Sequence, residues 1–117
     1  MPDIKLTHLK WGPFPLTREN VDSLLWFVSP GTYALGKMSS KGVMEIEYVG
    51  RADDNLNKRL KEHIGRYSYF AVTKHASPHE AHEHECRLYH DFGPPDNAGH
   101  PRPPEGDAGA CPHCAPM

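Results

Sequence analysis

Three cysteines, an odd and small number, rule out a disulfide-framed scaffold, so this chain must be held together by an apolar core. Long hydrophobic runs are missing too. Nothing approaches the roughly 18 to 20 apolar residues of a membrane span, and no segment reads as a secretory leader, so the expectation is a cytoplasmic protein with no membrane partner. Charge of one sign is also lacking. Lysine and arginine number 13 against 15 acidic residues, a net charge of −2, which excludes the global positive field of a strong nucleic-acid binder and leaves only a local basic patch to hold a polyanion. No internal repeat or long low-complexity tract points to a solenoid. What remains is a chain of 117 residues, enough for one core and too short for two, with 12 prolines that keep part of it irregular.

Taken in order, residues 1 to 16 read as an extended arm or edge strand that packs Trp11 on the domain, with Pro13 and Pro15 forbidding regular continuation. Thr17 is placed to cap a short helix through Leu24, with Val21, Leu24 and Leu25 inward. Ser29-Pro30-Gly31 is turn punctuation. A strand over Thr32–Gly36 and a second over Val43–Val49, joined by a polar connection, form a β-hairpin that carries Tyr33 and Tyr48 on neighbouring strands. Gly50 is read as a tight turn into a helix capped by Asp53 or Asp54, in which Leu56, Leu60 and Ile64 repeat at helical spacing. Arg59 and His63 lie one turn apart on that helix, positioned to reach a phosphate near the strand end.

Tyr67–Thr73 reads as a third strand. Ser77-Pro78-His79-Glu80 is a capping box with proline at the first helical position, and the helix it starts runs to about Phe92 before Gly93-Pro94-Pro95 stops it. Ala81, Leu88 and Phe92 mark its inward face, and Glu85 falls in the same stripe. A carboxylate there either meets a cation or donors inside or sits at the stripe's edge, reaching water or an arginine. From Asp96 onward large apolar residues are scarce, so this Pro/Gly-rich tail builds no core of its own.

Gly31-Thr32-Tyr33, Tyr48-Val49-Gly50, the run Asn55 to His63 with Arg59 inside it, Glu85 heading Glu85-Cys86-Arg87-Leu88-Tyr89-His90, and the later Pro94 and Asn97 form an ordered set over residues 30 to 97. In this set the chain resembles the GIY-YIG nuclease domains, with the last two residues spaced as in the excision-repair members. The half motifs are short, and the order carries the specificity. Thr32 stands where isoleucine is usual, the connection between the tyrosines is longer than typical, and Asp53-Asp54 lengthen the turn after Gly50.

The resemblance implies an α+β fold with a small three-stranded antiparallel sheet flanked by helices, and a metal-dependent endonuclease that hydrolyses DNA phosphodiesters. Glu85 would hold Mg²⁺ or Mn²⁺, and Arg59 would neutralise charge growing on the phosphate. Tyr33 would serve as base with Tyr48 orienting it, its pKa lowered by Arg59 and the metal, and His63 would relay a proton or hold the phosphate and Tyr33. Asn97 would fix the chain where it leaves the last helix. Arg51, Lys58, Lys61, Arg66 and Lys74 are the candidate DNA-facing cations.

Cys111-Pro112-His113-Cys114 is half of a zinc knuckle, and Cys86 with His90 or His82 would complete a Cys₃His site clamping the tail. The expected organisation is therefore an arm and short helix over residues 1–29, a catalytic unit over 30–97 and a tail over 98–117. The competing reading is a non-catalytic or partner-dependent nucleic-acid-binding module of the same fold, relying on a partner protein or a dimer for targeting. A third is a zinc-stabilised interaction domain in which the tyrosines are only structural.

Overall fold

The computed structural model describes residues 11–25, 28–97 and 101. Its elements follow in the order β1 (Trp11–Pro15), α1 (Arg18–Leu24), β2 (Gly31–Met38), β3 (Met44–Ala52), α2 (Leu56–Lys61), β4 (Tyr69–Lys74) and α3 (Pro78–Phe92). All strand pairs are antiparallel, in the order β1-β4-β2-β3, so the sheet has four strands where three were expected. The fourth is β1. Its two prolines donate nothing to a ladder, which confines it to the sheet's edge, where Phe14 pairs with Phe70 and Trp11 with Val72 across an irregular register.

The strand alternation sorts the core into two layers. On one face Tyr33, Leu35, Phe70, Val72 and Ala52 pack with Leu16, Val21, Leu25, Leu56 and Leu60. On the other, Ala34, Met44, Val49 and Ala71 meet Leu88 of α3. Because Leu16, Val21 and Leu25 belong to the same cluster as the central strands, α1 is an integral wall of the core.

Local chemistry explains the helix ends. Thr17 accepts from the Asn20 amide at 3.1 Å and caps α1. Ser77 accepts from the Glu80 amide at 3.2 Å, and Glu80 reaches back to the Ala76 amide at 3.3 Å, one residue before the expected partner of a capping box. Gly93 ends α3 in the left-handed conformation, φ 54° and ψ 50°, as the Gly-Pro-Pro run requires.

Around α2 three expectations are corrected. The β3 strand does not end at Gly50 but continues to Ala52, with Gly50 paired to Tyr33. Asn55, rather than Asp53 or Asp54, caps α2, its side chain accepting from the Lys58 amide at 3.1 Å. Finally, α2 has only six residues and stops at Lys61, so Ile64 leaves the apolar stripe for a short bridge with Tyr67 and is 37% exposed. So short a helix cannot hold itself. Buried Leu56 and Leu60 fasten it to the sheet, and a polar clamp fastens it to α1: Asn57 donates to Asp22 and to the Leu25 carbonyl, and Lys61 pairs with Asp22 at 2.5 Å.

Candidate active-site cleft

At the open edge of β3 lies a cleft of about 430 Å³ lined by Tyr33, Tyr48, Arg51, Asp53, Asp54, Arg59 and Glu85. These residues come from β2, β3, the bend after it, α2 and α3, so only the fold brings them together. The tyrosines enter from one sheet face through the register Tyr33↔Gly50 and Leu35↔Tyr48, which sets their rings 6.3 Å apart. Gly50 has its reason here. A Cβ at this position would lie 2.5 Å from the Tyr33 ring and hydroxyl, so its missing side chain is the slot that Tyr33 fills.

Tyr33 is 2% exposed and its hydroxyl lies 3.1 Å from His63 Nε2. Beyond the end of α2, His63 is brought back by the turns after Lys61 and is surrounded by the rings of Tyr33, Tyr48 and Tyr67, at 5.4, 5.4 and 6.2 Å. Its Nδ1 is buried and finds no hydrogen-bond partner among the described residues. Desolvation pushes the imidazole below its ordinary pKa, and the charges of Arg66 and Arg59 add to the shift against an opposing pull from Glu62. Neutral His63 needs only one ring proton. On Nε2 that proton is donated to Tyr33, whereas on Nδ1 it would be a stranded buried donor, so the arrangement favours the first tautomer.

Burial drives the Tyr33 phenol well above its usual range, reinforced by Tyr48 and Glu85. Arg59 pulls downward as expected but does not outweigh the burial. The half-buried Tyr48 is raised by the same desolvation, with Glu85 adding to it and Arg59 opposing. Tyr67 donates to Asp96 at 2.9 Å and is pushed up to about 12, first by desolvation and then by that bond.

Of the two readings open for Glu85, the structure gives the buried one, and the carboxylate meets a cation inside. Arg51 Nη1 donates to Glu85 Oε1 at 2.9 Å, while Arg51 Nε donates to Asp53 Oδ1 at 2.6 Å. One guanidinium thus ties α3 to the bend after β3. Arg51, expected among the DNA-facing cations, lines the cleft. A buried carboxylate in need of a partner and a strand-end arginine were both visible in the sequence, but their pairing across 34 positions was not.

The other cations are dispersed. Arg59 stands exposed at the rim, near Glu62 at 3.7 Å, and lines both the cleft and an adjoining groove of about 340 Å³ formed with Asp54, Asn55, Lys58 and Glu62. Lys58 therefore neighbours the cleft. Lys61 does not, being held by Asp22, and Lys74 sits 4.7 Å over the Trp11 ring near the opposite edge of the sheet. Arg66 is exposed. Of the five candidate DNA-facing cations, Arg51 lines the cleft and Lys58 the adjoining groove, while α1 engages Lys61 and β1 engages Lys74.

Asn97 seals part of the β3 edge. Its Oδ1 accepts from the Val49 amide and its Nδ2 donates to the Val49 carbonyl, both at 2.9 Å, mimicking a strand partner, and the Asp96 amide donates to the Glu47 carbonyl. Behind the cleft is a cluster that sequence reasoning missed: Thr32 Oγ1 lies 2.6 Å from His84 Nδ1 and 3.2 Å from His75 Nε2, with those two nitrogens 3.1 Å apart. Its signal was Thr32 itself, a hydroxyl on an inward strand position that must find polar partners.

A hard divalent cation fits the donor set. Glu85, Asp53 and Asp54 present only oxygen, and Mg²⁺ commonly takes one or two carboxylates with water and substrate oxygens. Among the described residues no three His, Cys, Asp or Glu side chains converge as a ready-made metal cage. Formal charge points the same way: two arginines against three carboxylates leave the cleft one unit negative, and a divalent ion reverses its sign. No helix among the described residues is long and apolar enough to cross a membrane. Compared with protein-family models, curated proteins and solved structures, the chain matches none.

Proposed function

We propose that the cleft is the active site of a metal-dependent endonuclease of GIY-YIG type, hydrolysing a DNA phosphodiester with Mg²⁺ or Mn²⁺. The observation that carries this reading is the convergence of Tyr33, Tyr48, Arg59 and Glu85, spread over more than 50 positions, on one cleft with His63 directly behind Tyr33. Glu85, with Asp53 beside it, would hold the cation, which when bound supplies Lewis-acid stabilisation of the phosphate and of the leaving oxygen. Arg59, at the rim and exposed, neutralises charge on the non-bridging oxygens. Arg51 holds Glu85 in place through its 2.9 Å contact.

Tyr33 would accept the proton from the attacking water only after its own hydroxyl proton has left to solvent through the cleft, a loss that positive charge beside it favours. With His63 donating to it through Nε2, the Tyr33 hydroxyl hydrogen is free to turn into the cleft. Burial holds this phenol protonated in the free protein, so Tyr33 becomes a base only when positive charge enters beside it. Tyr48, next to it, orients the water. Asn97 and Asp96 hold β3 in register under both tyrosines.

The test is incubation with single-stranded, duplex and branched DNA in Mg²⁺ or Mn²⁺, beside Glu85→Ala and Arg59→Ala. Nicking by the wild-type chain, lowered by about 100-fold or more in each variant, is the expected result. Undiminished cleavage by Glu85→Ala would remove the assigned metal role. The net charge of −2 over the whole chain is the ground for a second reading, a nucleic-acid-binding module that depends on a partner. Salt-sensitive binding without cleavage of any substrate would select it.

A further inference from the structure

Of the residues expected in a zinc site, Cys86 Sγ lies 3.4 Å from His82 Nε2 within α3 and His90 is exposed, while Cys111 and Cys114 lie outside the described residues. The cleft offers more. Arg51 leaves β3 opposite Thr32 and reaches across to α3, where its Nη1 donates to Glu85 Oε1 at 2.9 Å, while its Nε donates to Asp53 Oδ1 at 2.6 Å. One guanidinium therefore engages both carboxylates assigned to the cation.

The contact that holds Glu85 in place also occupies it. A divalent cation drawn to Glu85 needs the same negative charge that Arg51 already neutralises, and two cations brought to one carboxylate repel each other. Little solvent screens them, since the Arg51 and Glu85 side chains are both largely buried. Arg59 is placed differently: its side chain stands exposed at the rim beside Glu62. The cleft of about 430 Å³ that Arg51 lines gives a displaced guanidinium room to turn.

We propose that Arg51 is a displaceable counter-ion of the cleft: it competes with the divalent cation for Glu85 and, once displaced, turns its guanidinium to the phosphate. This rests on the reading of Glu85 as the metal ligand. The two arginines then differ in when they act. Arg59 meets a phosphate at the rim from the outset, whereas Arg51 is released to it only in exchange for the cation, so its charge reaches the phosphate after Glu85 has taken the metal.

The experiment measures Mn²⁺ binding by electron paramagnetic resonance in the wild type and in Arg51→Gln, and follows the Arg51 guanidinium and Glu85 carboxyl signals of the wild-type chain by NMR as Mg²⁺ is added. Mn²⁺ should bind Arg51→Gln about tenfold or more tightly than the wild type, the effect of removing one close like charge. In the wild type the Arg51 signal should shift in step with that of Glu85. Unchanged or weaker Mn²⁺ binding in a folded Arg51→Gln, or a Glu85 signal that moves while Arg51 stays fixed, would overturn the displacement and leave the metal role of Glu85 standing. A Glu85 signal unmoved by excess Mg²⁺ would bring down both together. Should Arg51→Gln fail to fold, the wild-type titration decides by itself, and no readout depends on DNA cleavage.

Discussion

Arg51 and Arg59 both line the cleft, yet they answer to different physics. The Arg51 and Glu85 side chains are 12% and 11% exposed, whereas Arg59 and Glu62 are each more than half exposed. Removing one member of a buried pair strands the other's charge, while a rim pair is screened by solvent. Arg51→Ala should therefore cost on the order of 3 kcal/mol of stability, and Arg59→Ala within about 0.5 kcal/mol, by urea unfolding. Equal losses would show that Glu85 does not depend on Arg51. His63 carries the second prediction at this scale. Its folded-state pKa lies below the ordinary value near 6.5, so the unfolded chain takes up the proton first. The contribution is whole above that pH and is lost as pH falls toward the lowered folded value. Thermal melts over pH 7.5 to 5 should fall less steeply for His63→Gln than for the wild type, and parallel curves would exclude His63 as a source of the slope.

At the scale of elements, α3 is the helix whose limits are written locally. Ser77 and Gly93 bound it, and each is testable alone. Ser77→Ala should cost about 1 kcal/mol through the lost cap, and Gly93→Ala a similar amount, because a Cβ is disfavoured at φ 54°. Among the described residues, chain neighbours aside, no atom lies within 4 Å of a Cβ placed at Gly93, so the second cost is conformational and not steric. Denaturation midpoints that do not move would contradict these assignments. The α2 helix behaves differently. Its leucine spacing extends to Ile64, yet it ends at Lys61, because after one and a half turns the chain must return His63 beneath Tyr33. The repeat recorded which residues are apolar and could not record that tertiary demand.

For the molecule as a whole, the two core layers make the sheet and α1 interdependent. Leu16, Val21 and Leu25 are at most 6% exposed against Tyr33, Leu35 and Leu60, and α1 is clamped to α2 through Asp22. A chain beginning at Pro30, the boundary that motif spacing alone would choose, should lose cooperative unfolding and its near-ultraviolet circular dichroism. Retention of both would make residues 11 to 25 an appendage. The cleft depends on the same packing: Tyr33 is a core residue of that layer and a cleft residue at its tip, so stability and activity should fall together when the layer is cut.

Local chemistry made much of this legible in the sequence. Thr17, Ser77 and Gly93 declare helix ends because their interactions span a few residues, and strand alternation marked β2, β3 and β4 for the same reason. The ordered tyrosines, Arg59, His63 and Glu85 were recognisable as a set, and Glu85 announced its need for a partner by occupying an apolar stripe. The partner was Arg51, and the purpose of Gly50 was to admit the Tyr33 ring rather than to turn the chain. Both follow from register and crossing geometry between distant segments. So do the fourth strand and the separation of Lys61 and Lys74 from the cleft, since short-range propensity does not fix which edge a proline-bearing strand joins or which cation a neighbouring helix claims. The sequence determined the elements and the chemical inventory; the tertiary structure decided which groups meet, because meeting depends on long-range packing that no local pattern encodes.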